Sequence, residues 1–425
     1  SQTVVAACLL DLAKSIIKSK PNCLDWKPSS HELTIMKELL DNTLTTGLTG
    51  SILETMGSTA AVADFPAPVG AVVEAERVAG APIAGEVIGF RDNATLVFLF
   101  NGTGGVRRGN RVRLMRTGRT MRVGDGLLGR VVDAHGQPID GRPKPMLAER
   151  TTLDRQPPLP TERPRIQIPL ATGVKAIDAL LTSGRGQRLG IFAGSGVGKS
   201  VLLGMMCRHT DADVVVVGLI GERGREVNEF LERDLGTQGL ANSVVVVATS
   251  NEPALRRTQA EFAATTIAEH DRDRGKNALL LMDSVTRFAM AHREIGLAAG
   301  EPPTTRGYPP SMFAVLPKLV ERAGCSDRGS ITAYYSVLVE GDDPNEPVAD
   351  TMRGLLDGHI CLSRDLASRG HYPAIDVLES LSRLMQDVTT PNHRRAAQSI
   401  RELLSARREH EDLISIGAYR AGTNR

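Results

Sequence analysis

The chain has 425 residues, of which 41% are hydrophobic, 24% charged and 4% aromatic, and its formal net charge is +2. This length allows two or three domains with a sizeable core, while the near-neutral charge and the few aromatic side chains argue against nucleic acid as a partner. Five cysteines without Cys-x-x-Cys spacing favour reduced thiols over a metal centre, and no apolar run reaches the roughly 18 residues that span a membrane.

Residues 1–58 differ from the rest of the chain in their basic side chains. The first 60 residues contain five Lys and no Arg, whereas the remaining 365 contain five Lys and 41 Arg. Residues 55–58 read Thr-Met-Gly-Ser, like a start codon followed by a cloning scar. We therefore predict that residues 1–58 are a grafted or fused segment, helical over residues 9–17 and 32–42. The alternative is a natural N-terminal domain of unusual composition.

A small β-barrel is predicted over residues 59–150. Short apolar runs alternate there with Gly, Asn and Asp turns, a spacing typical of small barrels. The runs lie at residues 71–73, 86–90, 95–99, 111–114 and 129–132. A proline-rich link between Pro157 and Pro169 follows and marks a domain boundary.

An α/β domain is predicted over residues 151–382, because apolar strands alternate there with helical stretches, the pattern of a parallel sheet. The predicted strands lie at residues 214–218, 244–248, 278–282 and 330–338. From about Arg383 the sequence is helical and basic, which predicts a C-terminal helical domain over residues 383–425.

Residues 193–200 read Ala-Gly-Ser-Gly-Val-Gly-Lys-Ser and follow the apolar run 189–192. A strand, a glycine-rich turn and a helix start in this order predict a P-loop that binds nucleotide phosphates. Backbone N–H groups would surround the phosphates, Lys199 would reach the β- and γ-phosphates, and Ser200 would offer its hydroxyl to Mg²⁺. Ala193 replaces the usual first glycine, and a lone match is also compatible with a turn without function. The predicted nucleotide-binding residues of this loop are Gly194, Ser195, Gly196, Val197, Gly198, Lys199, Ser200 and Val201.

Two further segments carry candidate catalytic residues. An apolar strand over residues 279–282 ends in Asp283, the Walker B pattern, and this carboxylate is predicted to orient Mg²⁺ beside the P-loop. Glu222 follows another strand between glycines, where a carboxylate can polarise an attacking water. Arg223 could neutralise charge on the γ-phosphate. For Glu222 and Arg223 the alternative is a charged surface loop.

These motifs, together with residues 300–310, 339–343 and 373–382, resemble the rotary ATP synthase α/β family. Within it, residues 194–204 and 355–360 are similar to the flagellar export ATPases of the type III secretion branch. The resemblance implies an α/β fold class: a RecA-like P-loop core with a parallel sheet, preceded by a small β-barrel and followed by a helical domain. The family's barrel begins with a strand upstream of those found here, and its helical domain continues further. We therefore expect an incomplete barrel and a truncated helical domain.

The resemblance implies ATP and Mg²⁺ as cofactors and agrees with the roles given to the P-loop, Glu222 and Asp283. It adds two residues that would not stand out alone. Arg364 matches an arginine finger that reaches the nucleotide of a neighbouring subunit. Tyr372 matches an aromatic side chain that stacks on adenine.

The function implied by the resemblance is Mg²⁺-dependent ATP hydrolysis that powers flagellar type III protein export, by unfolding substrates or releasing them from chaperones. The implied protein forms a homohexamer, is cytoplasmic and lies at the cytoplasmic face of the inner membrane. Its implied partners are stator and stalk proteins, chaperone–substrate complexes and the membrane export gate, without nucleic acid. The alternatives are a virulence-type secretion ATPase, an ATP synthase catalytic subunit, a nucleic-acid motor of the same core fold, and a non-catalytic nucleotide-binding or structural protein.

Overall fold

The computed structural model describes residues 47–339 and 346–419. The chain divides into two compact units, the first ending at Arg119 and the second beginning at Thr120. The helices predicted over residues 9–17 and 32–42 lie outside the described residues.

The first unit is a closed antiparallel barrel with the strand order β1-β2-β5-β4-β3-β6. Side chains alternate between its interior and its surface, so that Val73, Val97 and Val112 are fully buried. The strands are β1 (Thr49–Met56), β2 (Thr59–Ala63), β3 (Val72–Ala75), β4 (Ile83–Arg91), β5 (Ala94–Leu99) and β6 (Arg111–Arg116).

The barrel is closed, so the expectation of an incomplete barrel is wrong. Strand β1 lies inside the segment predicted to be foreign and pairs with both β2 and β6, where Gly50 lies opposite Val112. A Cβ added to Gly50 would lie 2.6 Å from the Ala63 carbonyl oxygen, so this strand is closely packed. The sequence pattern missed it because Ile52 is the one fully buried side chain of β1 and the apolar Leu53 and Met56 are exposed, so the apolar positions of this strand do not alternate.

The second unit is built on a large sheet with the strand order β19-β18-β12-β17-β15-β13-β14-β8. Its pairs are parallel except for two antiparallel ones, the edge pair of β18 with β19 and the pairing of β16 with β17 beside the main path. The strands of this unit are β7 (Thr120–Val123), β8 (Arg130–Val132), β9 (Glu149–Thr152), β10 (Pro169–Leu170), β11 (Ser183–Gly184), β12 (Arg188–Ala193), β13 (Val214–Ile220), β14 (Ser243–Ala248), β15 (Asn277–Asp283), β16 (Gly324–Cys325), β17 (Ser330–Leu338), β18 (Gly358–Leu362) and β19 (Ile375–Ser382).

Helices cover both faces of this sheet, which confirms the predicted α/β class. Alternate residues of β13 belong to opposite core layers. Val216 packs with the helices Ala254–Asp273 and Val285–Ala299, and Val217 packs with the helices Lys175–Leu180 and Lys199–His209. The helices are α1 (Lys175–Leu180), α2 (Lys199–His209), α3 (Gly224–Glu229), α4 (Gly236–Ala241), α5 (Ala254–Asp273), α6 (Val285–Ala299), α7 (Pro310–Val320), α8 (Pro347–Leu355), α9 (Arg364–Ser368), α10 (Met385–Val388), α11 (Pro391–Glu409) and α12 (Glu411–Ser415), with a π-helix (Phe230–Leu235) and 3₁₀ turns (Asp125–Leu127, Pro160–Glu162 and Thr305–Gly307).

The boundary between the units differs from the one we predicted. We placed residues 59–150 in the barrel domain, but from Thr120 onward the chain belongs to the second unit. There β8 pairs in parallel with β14, with Val131 opposite Val245, and β7 pairs with β9. A short apolar strand has the same sequence pattern in a barrel as at the edge of a sheet, so its partner could not be predicted.

The C-terminal region is helical, as predicted. Thr390 caps α11, since its hydroxyl accepts a hydrogen bond from the His393 N–H, and Pro391 occupies the first helical position. Several apolar side chains on α11 and α12 are exposed, among them Leu403 of α11 at 71% and Ile414 of α12 at 49%. Of the described helices, none combines the length and apolarity that a membrane span requires.

Candidate functional site

The predicted P-loop connects the end of β12 to the start of α2. Gly196 and Gly198 have φ values of 82° and 89°, a left-handed conformation that favours glycine. No side chain caps α2, so backbone N–H groups of its first turn remain available to a phosphate. Ala193 belongs to β12, where it pairs with β17 and β18 and is 1% exposed. Because Ala193 lies in the strand, an alanine in place of the usual glycine leaves the conformation of the turn unchanged.

A cavity of about 650 Å³ lies over this loop at the carboxyl edge of the sheet. The parallel strands β12, β13 and β15 all end there, which brings together motifs far apart in the sequence. Most of the predicted site residues line the cavity: Gly194, Ser195, Gly196, Gly198, Lys199, Ser200, Val201, Glu222, Arg223, Asp283 and Arg364. Val197 instead is 2% exposed and packs into the core below.

The Lys199 ammonium forms an ion pair with the Asp283 carboxylate, which is almost completely buried. The same nitrogen lies 3.9 Å from Oε1 of Glu222. Oε1 of Glu222 is itself buried and has no hydrogen-bond partner among the described residues. Buried polar atoms without hydrogen-bond partners are rare. This oxygen lies in the cavity near the Lys199 ammonium group, which a bound phosphate would attract.

The pKa of Glu222 is raised to about 7. Burial is the largest cause, and the negative charge of Asp283 adds to it, while the positive charge of Lys199 opposes the shift. A general base works best when its pKa lies near the operating pH. Glu222 therefore has the position and the basicity to take a proton from water at neutral pH.

Asp283 and Ser200 present a carboxylate and a hydroxyl to the same cavity. These hard oxygen donors suit Mg²⁺, which usually takes only one or two protein ligands and completes its shell with water and phosphate oxygens. Among the described residues no group of three or more His, Cys, Asp or Glu forms a cage for a metal ion. The donor set fits a metal that arrives with a nucleotide.

Arg364 begins α9, after Ser363 caps the helix by accepting a hydrogen bond from the Leu366 N–H. Arg364 lines the Lys199 cavity of its own chain. The resemblance implies that this arginine acts on the nucleotide of a neighbouring subunit, and that role stays a prediction.

Tyr372 does not line the cavity, but it lies beside the P-loop. A Cβ added to Gly198 would be 3.4 Å from Cε1 of the Tyr372 ring, and the ring is 61% exposed. Val201, in the first turn of α2, is also exposed at 44%. An exposed aromatic ring next to a phosphate loop is well placed to stack on the base of a nucleotide.

Among the cavity residues that the sequence did not predict are Glu226, Phe230, Arg233 and Arg287. A signal existed for two of them. Arg287 follows Asp283 by four residues and Glu226 follows Glu222 by four, and each lies in the first turn of the helix that comes after the acidic residue. Nε of Arg287 is buried and has no hydrogen-bond partner among the described residues.

Comparisons with known proteins match all parts of this architecture. The nucleotide-binding domain of the ATP synthase alpha/beta family matches residues 173–382, its beta-barrel domain residues 55–116, and the C-terminal domain of the T3SS EscN ATPase residues 389–425. The flagellum-specific ATP synthase of Bacillus subtilis is 50% identical over 376 residues, covering 88% of this chain and 85% of that protein. The type 3 secretion system ATPase of Xanthomonas euvesicatoria is 48% identical over 395 residues, covering 92% and 89%.

Among solved structures, the assembled ATPase EscN in complex with its central stalk EscO, from the type III secretion system of enteropathogenic E. coli, is similar with a TM-score of 0.81. The two sequences are 46% identical, and the match covers 88% of this chain and 90% of that chain.

Proposed function

The chain belongs to the ATP synthase alpha/beta family and is an ATP-hydrolysing enzyme of its type III secretion branch, and we propose that its turnover powers protein export through a flagellar type III apparatus. The assignment of the site rests on one observation. Lys199, Glu222 and Asp283 lie close together in one cavity at the end of three parallel strands. Neither the barrel nor the helical region offers a comparable arrangement among the described residues.

Hydrolysis begins with binding of the phosphates by the backbone N–H groups of residues 194–200. Lys199, now held by Asp283, turns to the β- and γ-phosphates. Once Lys199 has turned away, Asp283 and Ser200 would hold Mg²⁺, which would supply positive charge to the phosphate oxygens. Tyr372 stacks on the adenine ring.

Glu222 then acts as the general base. It takes a proton from a water molecule, and the resulting hydroxide attacks the γ-phosphorus while ADP leaves with the electrons of the broken bond. Arg223, Arg287 and Arg364 line the cavity and stabilise the negative charge that spreads over the γ-phosphate oxygens.

The proposed working form is a homohexameric ring at the cytoplasmic face of the inner membrane. Similarity to an assembled ATPase with a central stalk supports a ring that contacts a stalk protein. The exposed apolar side chains of α11 and α12 offer a surface for such contacts. The other proposed partners are stator proteins, chaperone–substrate complexes and the export gate. The assembly of a ring, the exported substrates and ATP as the nucleotide belong to the same proposal.

Phosphate release per subunit, measured at several protein concentrations with Mg²⁺ and ATP, tests the proposed function. We expect turnover that rises faster than linearly with protein concentration as rings assemble. Absence of turnover at every concentration would favour the non-catalytic alternative. Complementation of a strain lacking either a flagellar or a virulence-type export ATPase separates the two secretion roles.

A further inference from the structure

A row of arginine side chains lies on the outer face of strand β6 in the barrel, and none of the steps above uses it. Residues 107–119 contain six arginines and no acidic residue, although the chain as a whole is close to neutral. Five of these arginines are exposed, and we call their side chains the arginine stripe: Arg107, Arg108, Arg111, Arg113 and Arg116.

The alternation of side chains along β6 fixes the direction of the stripe. Val112 and Leu114 are buried in the interior of the barrel, so Arg111 and Arg113 lie on the opposite, outer face. Two residues of extended strand span about 7 Å, and the Cα atoms of these two arginines are separated by that distance. The other three arginines of the stripe lie in the turn before β6 and at its end.

The side chains of the stripe are not used inside the molecule. Among the residues that the structure describes, none of the five forms a side-chain hydrogen bond or an ion pair. Arg119, the sixth arginine of the segment, differs from them because it lies 3.8 Å from the buried Glu86. The guanidinium groups of the stripe therefore keep their charge and their N–H donors for a ligand.

The strands on either side of β6 restrict the kind of ligand. On β1 the neutral Thr49 lies opposite Arg113, and on β3 Glu74 lies opposite the same arginine. Glu76 follows β3 and is exposed. A flat anionic surface, such as a membrane, would bring its charges close to these carboxylates as well, and like charges repel. A narrow row of carboxylates would meet the arginines without that cost.

The backbone of β6 cannot bind a further strand, because β6 is paired with β1 on one side and with β3 on the other. A ligand must therefore bind to its side chains. In an extended peptide, alternate residues lie on one face about 7 Å apart, which is also the spacing of Arg111 and Arg113. Guanidinium groups bind carboxylates through two parallel hydrogen bonds.

We propose that the arginine stripe is a docking surface for an acidic, extended segment of a partner protein, in which alternate carboxylates pair with Arg111 and Arg113. The inference goes beyond the proposed ATP hydrolysis and does not depend on it, because no residue of the stripe lines the P-loop cavity.

Binding of a fluorescent peptide of alternating Glu and Ser to the full chain, measured by anisotropy at low salt, tests the proposal. We expect saturable binding that weakens as salt is added, because salt screens exposed ion pairs. In the double variant Arg111→Gln/Arg113→Gln the dissociation constant should rise about 3- to 10-fold, since exposed ion pairs each contribute modestly. Thermal unfolding checks that the variant folds like the wild type, as expected for exposed positions. Absence of binding to the wild type, or equal binding to the double variant, overturns the proposal.

The double variant Arg91→Gln/Lys144→Gln is the matched control, because it removes the same charge from exposed positions outside the stripe. Its dissociation constant should stay within about two-fold of the wild-type value. Glu74→Gln should have the opposite effect and tighten binding about two-fold, because it removes the carboxylate beside Arg113. An equal loss in the control would indicate a general effect of net charge and overturn the proposal. Weaker binding by Glu74→Gln would overturn it as well.

Three further measurements test other occupants of the stripe. Vesicles that contain phosphatidylserine and a single-stranded RNA oligonucleotide are compared with the peptide, and light scattering follows the assembly of copies of this chain. If Arg111→Gln/Arg113→Gln binds the peptide normally but loses vesicles, RNA or assembly, the stripe has that other role and the proposal is wrong. Phosphate release by the folded double variant should equal that of the wild type. The peptide titration is therefore decisive for the stripe even if the protein hydrolyses no ATP.

Discussion

The barrel and the α/β unit use similar apolar strands but differ in how they bury charge. In the barrel, Glu86 is the one buried charged side chain among the described residues, and it lies 3.8 Å from Arg119. The α/β unit contains several, including Arg322 and Glu269, which are both buried and 2.7 Å apart. Buried charges cost free energy unless they are paired. Buried ion pairs are therefore concentrated in the unit that contains the P-loop cavity, although Arg322 and Glu269 do not line that cavity.

The substitution Lys199→Ala should have the largest effect, since it removes the cation that binds phosphate and leaves Asp283 buried without its partner. We expect turnover below detection and much weaker ATP binding, measured by phosphate release and by calorimetric titration. The α/β unit should also lose stability, by about 3–5 kcal/mol. An active Lys199→Ala variant would contradict the assignment of the site.

The substitution Arg364→Ala tests whether one chain provides all the cationic side chains that act on its own nucleotide. If Arg364 stabilises the γ-phosphate, its loss should lower kcat by about 10³-fold, in the range known for arginines in phosphoryl transfer, and spare ATP binding. Because Arg364 lines the cavity of its own chain, mixed rings of Arg364→Ala and Glu222→Gln subunits should stay inactive. Restored activity in mixed rings would instead place Arg364 at the neighbour's nucleotide, as the sequence resemblance implies.

Glu222→Gln should retain ATP binding and lower kcat by about 10²–10⁴-fold, because the amide cannot take the proton from water. In the wild type, kcat should rise with pH through about 7, the raised pKa of Glu222, since the base must be ionised. A pH series of phosphate release with a fixed ATP excess measures this. Near wild-type turnover in Glu222→Gln would exclude Glu222 as the base.

We expect substitutions in the barrel to have the smallest effect on ATP hydrolysis. Ile52→Ala removes a buried side chain of β1 and should destabilise the barrel by about 2–5 kcal/mol. ATP hydrolysis per folded subunit should not change, because the cavity lies in the other unit. Leu53→Ala is the control: its side chain is 40% exposed, so the change in unfolding free energy, measured with urea, should stay within about 0.5 kcal/mol.

Local patterns in the sequence were sufficient to predict the P-loop, the Walker B strand and the strands on either side of them. Each of these is a continuous segment in which residue type and spacing already reflect the chemistry of phosphate binding. The predicted strand over residues 330–338 coincides with β17, and Asp283 ends β15 as predicted. The roles of Glu222, Arg223, Arg364 and Tyr372 remain predictions, although the structure brings all four to the P-loop or its cavity.

By itself, the sequence determined the apolar strands, the glycine turn and the residue types available for catalysis, because these depend on neighbours within a few positions. Only the tertiary structure decided which strand pairs with which, so it alone closed the barrel with β1 and placed β8 at the edge of the sheet. It also decided the basicity of Glu222, which depends on burial and on Asp283, a residue 61 positions away. Electrostatic interactions act through space, and the fold sets the distances over which they act.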